Sequence, residues 1–149
     1  MSDPRELYQQ VILEHNKKPR NFGKLDPCTH HAEGLNPLCG DEIELTLVVE
    51  NGVVQDLKFQ GHGCAISQAS SSLMTTNVKG KPVAEAETLI EQFREMIRGT
   101  LDPTKDPNIL GRLSLFQGVK DLPSRVKCAV LPWATLHSAL KGEETTSTE

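Results

Sequence analysis

Asn51-Gly52 constrains the architecture of this chain more tightly than any other dipeptide in it. Before it, Ile43, Leu45, Leu47 and Val49 recur at every second position; after it, Val53, Leu57 and Phe59 resume the alternation. Asn-Gly suits the two positive-φ positions of a type I′ turn, whose twist matches that of paired antiparallel strands. The alternation on either side leaves the hairpin with one apolar face that another layer must cover. A third short strand is expected around residues 62–66, where Gly61 and Gly63 allow a bulge or a close backbone approach.

The covering elements read as helices. Asp3, Pro4 and Glu6 form a start signal, and Leu7, Tyr8, Val11, Ile12 and His15 follow as one stripe. Residues 17–27 are irregular, punctuated by Pro19, Gly23 and Pro27. Ser67–Val78 reads as a Ser/Thr-rich helix that stops near Gly80. Ala84–Arg98 presents Ala86, Leu89, Ile90, Phe93, Met96 and Ile97 on one face. Residues 100–121 read as a loop with a short helix through Ile109, Leu110, Leu113 and Phe116. A last helix spans about Ser124–Lys141, and Pro132 inside it is expected to kink it or split off its first turn. The expectation is an α+β fold, a small antiparallel three-stranded sheet packed by helices, with residues 1–142 as one domain and 143–149 as a disordered tail.

Composition narrows the function. A net charge of −4 with no basic stripe, and aromatic residues at only 4%, argue against nucleic-acid binding. No apolar run approaches the roughly 20 residues needed to cross a bilayer, and the polar start MSDPRELYQQ has no secretory core. The expected location is the cytoplasm, where thiols stay reduced, so the four cysteines read as ligands, nucleophiles or core residues rather than disulfides.

Three cysteines fall at element ends. Cys39 lies in the turn leading into the first hairpin strand, and Asp41, two positions on, points to the same side in extended backbone. Cys64 follows the second strand at the same end of the hairpin. Cys128 lies in the first turns of the last helix, where the helix N-terminus favours a thiolate. Three thiolates and a carboxylate make a complete tetrahedral set for a borderline-soft divalent ion. Core filling is the competing explanation for Cys64 and for Cys128 taken singly. Cys28, beside His30 and His31, reads as part of a variable loop without function, and His62 is expected to point away from Cys64's neighbours.

The segments Asn36-Pro37-Leu38-Cys39-Gly40-Asp41, Gly61-His62-Gly63-Cys64-Ala65-Ile66-Ser67 and Arg125-Val126-Lys127-Cys128 resemble the iron–sulfur scaffold family of IscU and NifU. Leu7-Tyr8, His15 and Pro19-Arg20-Asn21-Phe22-Gly23 are similar to it as well. Within the family the chain most resembles the SufU branch: residues 100–121 look like an insertion that IscU-type members lack, and Lys127 stands where those members carry His. The resemblance implies that Cys39, Asp41, Cys64 and Cys128 bind one Zn²⁺. It implies that Cys39 accepts sulfane sulfur from a pyridoxal-phosphate-dependent cysteine desulfurase of the SufS type, for downstream iron–sulfur assembly proteins. It places Arg125 on a docking surface, and Arg125 and Lys127 would also offset the negative charge of the site. The alternative function is a scaffold on which a [2Fe–2S] cluster is assembled on the same four residues.

Overall fold

The computed structural model describes residues 4–38, 40–143 and 145–147. Its elements in chain order are α1 (Pro4–Lys17), β1 (His30–Asn36), β2 (Asp41–Glu50), β3 (Val53–His62), α2 (Ala65–Val78), α3 (Val83–Arg98), a 3-10 helix (Gly111–Asp121), α4 (Pro123–Leu140) and β4 (Thr145–Ser147).

The hairpin forms where the sequence places it. Asn51 and Gly52 take φ of 54° and 73°, and Glu50 pairs with Val53 across the turn. A register shift between Val48 and Val49 brings Val54, rather than Val53, to the fully buried position. Ile43, Leu45, Leu47, Leu57 and Phe59 all turn to the core.

The sheet is larger than expected and mixed, with strand order β3-β2-β1-β4. The additional strand does not lie at residues 62–66. It lies upstream at His30–Asn36, pairing antiparallel with β2 from His30↔Leu47 to Asn36↔Asp41. Residues 63–66 leave the sheet, and the Cys64 thiol, accepting from the Ser67 N–H at 3.5 Å, starts α2 two residues earlier than expected. Thr145–Ser147, assigned from sequence to an unstructured tail, pairs parallel with the open edge of β1. On the other side, residues 21–23 cover the edge of β3: Asn21 O accepts from Phe59 N–H and Gly23 N–H donates to Phe59 O. These contacts engage backbone groups of β1 and β3 that the hairpin and β1 alone leave unpaired, which blunts edge-to-edge association there.

The helices pack on one face of the sheet, with α4 against β1 and β2 and α2 against β3 and α4. Gly34 permits this approach, since a Cβ there would collide with the Thr135 hydroxyl of α4. Pro132 neither splits α4 nor ends it; the helix is continuous from Pro123 to Leu140. A proline cannot donate to the carbonyl four residues back, here that of Cys128, yet α4 stays packed against α2 through the next turn. The Ser70 hydroxyl donates to Ala129 O at 2.7 Å and accepts from the Trp133 indole N–H at 3.2 Å.

The segment before α4 contributes a full apolar stripe. Leu110, Leu113, Phe116 and Val119 are all buried at a spacing of three, the period of a 3-10 helix, whereas Ile109 is exposed. Phe116 packs edge-on against Phe93 and Tyr8, and Phe93 stacks on Trp133 with centroids 4.7 Å apart. This aromatic set ties α1, α3, the 3-10 helix and α4 together behind the sheet.

Candidate metal centre

The end of the hairpin opposite the Asn51-Gly52 turn gathers polar groups from three elements. Asp41 opens β2 and is 1% exposed, Cys64 caps α2 and is half-buried, and Cys128 on α4 is fully buried. One donor atom from each lies within 4.8 Å of the other two. Three side chains separated by up to 87 positions converge here because β2, the β3–α2 junction and α4 meet at this corner. Cys39 lies outside the described residues.

Hydrogen bonds fix the carboxylate. Asp41 Oδ1 accepts from the backbone N–H of Cys64 at 2.8 Å, and its Oδ2 lies 3.6 Å from the Cys64 thiol. Gly63 makes this possible: a Cβ there would lie 2.7 Å from Asp41 Oδ1. Asn36, buried at the end of β1, donates from Nδ2 toward the Cys128 sulfur at 3.9 Å. Its side-chain oxygen accepts from Leu38 N–H, and its backbone oxygen accepts from Gly40 N–H, which closes the turn from Asn36 to Gly40.

Charge at the site comes from α4. The Arg125 guanidinium bonds the Cys128 thiol and lies close to that of Cys64, and these sulfurs hold it protonated more firmly than an ordinary arginine. Arg125 itself is exposed, and Lys127 is half-buried one position before Cys128. Cys64 stands at the N-terminus of α2, where its sulfur accepts from the Ser67 N–H.

Sequence reasoning missed two contributors. Asn36 entered only as part of a turn motif, although an Asn at a strand end beside Pro37 is a ready turn-forming hydrogen-bond partner. Tyr8 entered only as a member of the first helix's apolar stripe. Its hydroxyl is buried without a hydrogen-bond partner among the described residues, and burial first, then the Cys64 sulfur, raises its pKa.

Other sequence candidates sit elsewhere. His62 is on the outer face of the sheet, 3.2 Å from Glu42. Cys28 is exposed beside a small groove of about 200 Å³ that His30 and His31 also line. The donor set at the corner, two thiols and a carboxylate with a positive guanidinium and the Asn36 amide as an outer donor, fits a borderline-soft divalent ion better than a hard one. No helix among the described residues is long and apolar enough to cross a membrane.

The family is defined by most of the chain. The NifU-like N terminal domain profile matches residues 7–129, and the chain belongs to that family. The chain is 46% identical to the iron-sulfur cluster assembly scaffold protein IscU of Thermotoga maritima, over 91% of this chain and 93% of the relative. It is 42% identical to the zinc-dependent sulfurtransferase SufU of Bacillus subtilis, over 93% and 92%. A crystal structure of SufU from Fervidobacterium islandicum superposes with a TM-score of 0.84 at 38% identity, covering 91% of this chain and 97% of that one. The α+β architecture is thus that of SufU and IscU, with a four-stranded mixed sheet.

Proposed function

We propose that this chain is a cytoplasmic zinc-dependent sulfur acceptor that takes persulfide sulfur from a SufS-like, pyridoxal-phosphate-dependent cysteine desulfurase and passes it on for iron–sulfur cluster assembly. Asp41, Cys64 and Cys128 hold the ion together with Cys39 as the fourth ligand. The observation that carries this reading is the convergence of Asp41, Cys64 and Cys128 to within 4.8 Å, at a corner where a guanidinium balances the sulfurs. The similarity to the Bacillus sulfurtransferase supports the choice of zinc.

When bound, zinc keeps its cysteine ligands deprotonated at neutral pH. The remaining steps belong to this chain's residues. Asp41, anchored by the Cys64 N–H, supplies a hard oxygen donor to a sulfur-rich set and is the ligand most weakly matched to it. Arg125 offsets the excess negative charge, about −2 for three thiolates and a carboxylate around a dication. Cys39 is the acceptor: its thiolate attacks the outer sulfur of the desulfurase's cysteine persulfide. The S–S bond there breaks, the partner's cysteine leaves as thiolate, and Cys39 carries the persulfide. Arg125 and Lys127, on the solvent side of α4, contribute positive charge to the surface presented to the desulfurase.

Protein purified without added metal is expected to contain one zinc per chain and to be colourless. Cys39→Ala is expected to abolish both stimulation of the desulfurase and transfer of labelled sulfur to this chain. Unchanged stimulation by that variant would refute the acceptor role. The similarity to the Thermotoga scaffold supports a second reading, in which the same residues assemble a [2Fe–2S] cluster. A coloured protein with visible charge-transfer absorption and iron in place of zinc would favour it.

A further inference from the structure

The outer face of the sheet carries a second convergence of ligand atoms, with different chemistry. His31 and Glu33 on β1 and Glu44 on β2 bring one donor each to within 4.8 Å of one another. Glu33 and Glu44 are directly paired across the strands, an arrangement that is destabilising for two like charges with nothing between them. His31 Nε2 sits between them, 3.3 Å from Glu44 Oε2 and 4.0 Å from Glu33 Oε1.

The two oxygens of Glu44 have separate partners. Oε1 accepts from the Gln60 amide on β3 at 2.6 Å and lies 3.6 Å from the Lys24 ammonium, which leaves Oε2 turned toward His31. An outer amide holding one carboxylate oxygen while the other faces a ligand is the usual means of orienting a metal-binding carboxylate. Burial pushes the Glu44 pKa up, but the bonds from Gln60 and His31 outweigh it and keep the group ionised. Glu33 is more exposed, so the roughly 1 Å contraction that brings three donors to bonding distance of about 2.1 Å falls on a side chain free to swing.

From this geometry we infer that His31, Glu33 and Glu44 form a site for a borderline-hard divalent transition ion, such as Mn²⁺ or Fe²⁺, separate from the thiolate corner. One imidazole and two carboxylates suit such ions, whereas a thiol-rich set selects softer ones. Alternation along β2 puts the two sites on opposite faces: Asp41 is buried under the helices, and Glu44 lines an open groove of about 850 Å³ with Glu33, Glu42 and Gln60. That groove leaves room for the water ligands that complete a six-coordinate ion.

The test is a Mn²⁺ titration of the full chain, followed by electron paramagnetic resonance, after the thiolate corner has been loaded with zinc. One Mn²⁺ per chain is expected, with affinity falling at least tenfold in Glu44→Gln and in His31→Gln. Gln60→Leu is expected to weaken it roughly tenfold through loss of orientation. Glu42→Gln, in the same groove but outside the cluster, should leave it unchanged. Paramagnetic broadening should centre on the amides of residues 31, 33 and 44. Two results would overturn the inference: no binding at millimolar Mn²⁺, which leaves His31 as an ion-pair partner only, or equal weakening by Glu42→Gln, which leaves diffuse surface charge.

Discussion

The Asp41 carboxylate is held by the backbone of Cys64, 2.8 Å from its N–H, while its second oxygen lies 3.6 Å from the same residue's sulfur. Two ligand candidates 23 positions apart are therefore a single unit, locked by one hydrogen bond across the end of the hairpin. The residue that makes the lock possible, Gly63, carries no functional group.

Gly63→Ala tests this unit. Its new methyl would lie 2.7 Å from Asp41 Oδ1, so the carboxylate must rotate away from the Cys64 N–H. Zinc retention against a chelator is expected to fall about tenfold, the typical effect of losing a group that orients a ligand. Circular dichroism should stay native, because the strands and helices on either side are unaffected. Undiminished retention would mean that Asp41 is not positioned through Cys64.

Arg125→Ala separates charge balance from folding. The side chain is exposed, so the melting temperature should barely change, whereas removing the guanidinium from the Cys128 and Cys64 sulfurs should speed zinc loss. Arg125→Lys should restore only part of the retention, since an ammonium lacks the planar fork that reaches two sulfurs at once. A chelator-competition series on the three proteins checks both points.

What the sequence disclosed follows the reach of local rules. The Asn51-Gly52 hairpin, the apolar face of α3 and the alternation that gathers Asp41 and Cys64 at one end are all set by neighbours a few residues apart. β1 was not legible, because HHAEGLN lacks the β-branched run that marks a strand, and its Gly34 serves the approach of α4 instead. The start of α2 was misplaced because a thiol does the capping that Ser, Thr, Asp or Asn usually perform. The serines of α2 looked like weak helix formers. Ser70 and Ser72 in fact serve tertiary bonds to α4 and to His15 that no periodicity reveals.

Phe116→Ala tests whether residues 100–121 are part of the core or an appendage. Phe116 is fully buried and touches the rings of both Phe93 and Tyr8. Removing a buried phenylalanine costs about 3–5 kcal/mol when the cavity cannot collapse, and the two rings against it are held from α1 and α3. Urea unfolding should show that loss in the midpoint without a change in slope. A loss below about 1 kcal/mol would mark the segment as peripheral to stability.

His15→Gln addresses a pH dependence built into the α1–α2 contact. His15 is 4% exposed, with Nδ1 2.6 Å from the Ser72 hydroxyl, which also accepts the Arg20 N–H at 2.8 Å. The lowered pKa of His15 keeps the ring that meets this hydroxyl in its neutral form. Burial lowers the His15 pKa, the positive charges of Arg20 and Arg112 lower it further, and Glu14 opposes them. The unfolded chain, with an ordinary histidine pKa of about 6.5, therefore binds a proton at a higher pH than the folded chain does. Stability is unaffected by this group above that pH and declines as pH falls through it, levelling off only below the depressed folded value. His137 shifts in the same direction, chiefly by burial, so His15→Gln should reduce the slope of unfolding free energy between about pH 7 and pH 5 without abolishing it. Urea unfolding at several pH values across that window reads the slope directly, and an identical slope in the variant would show that His15 is not a source of it.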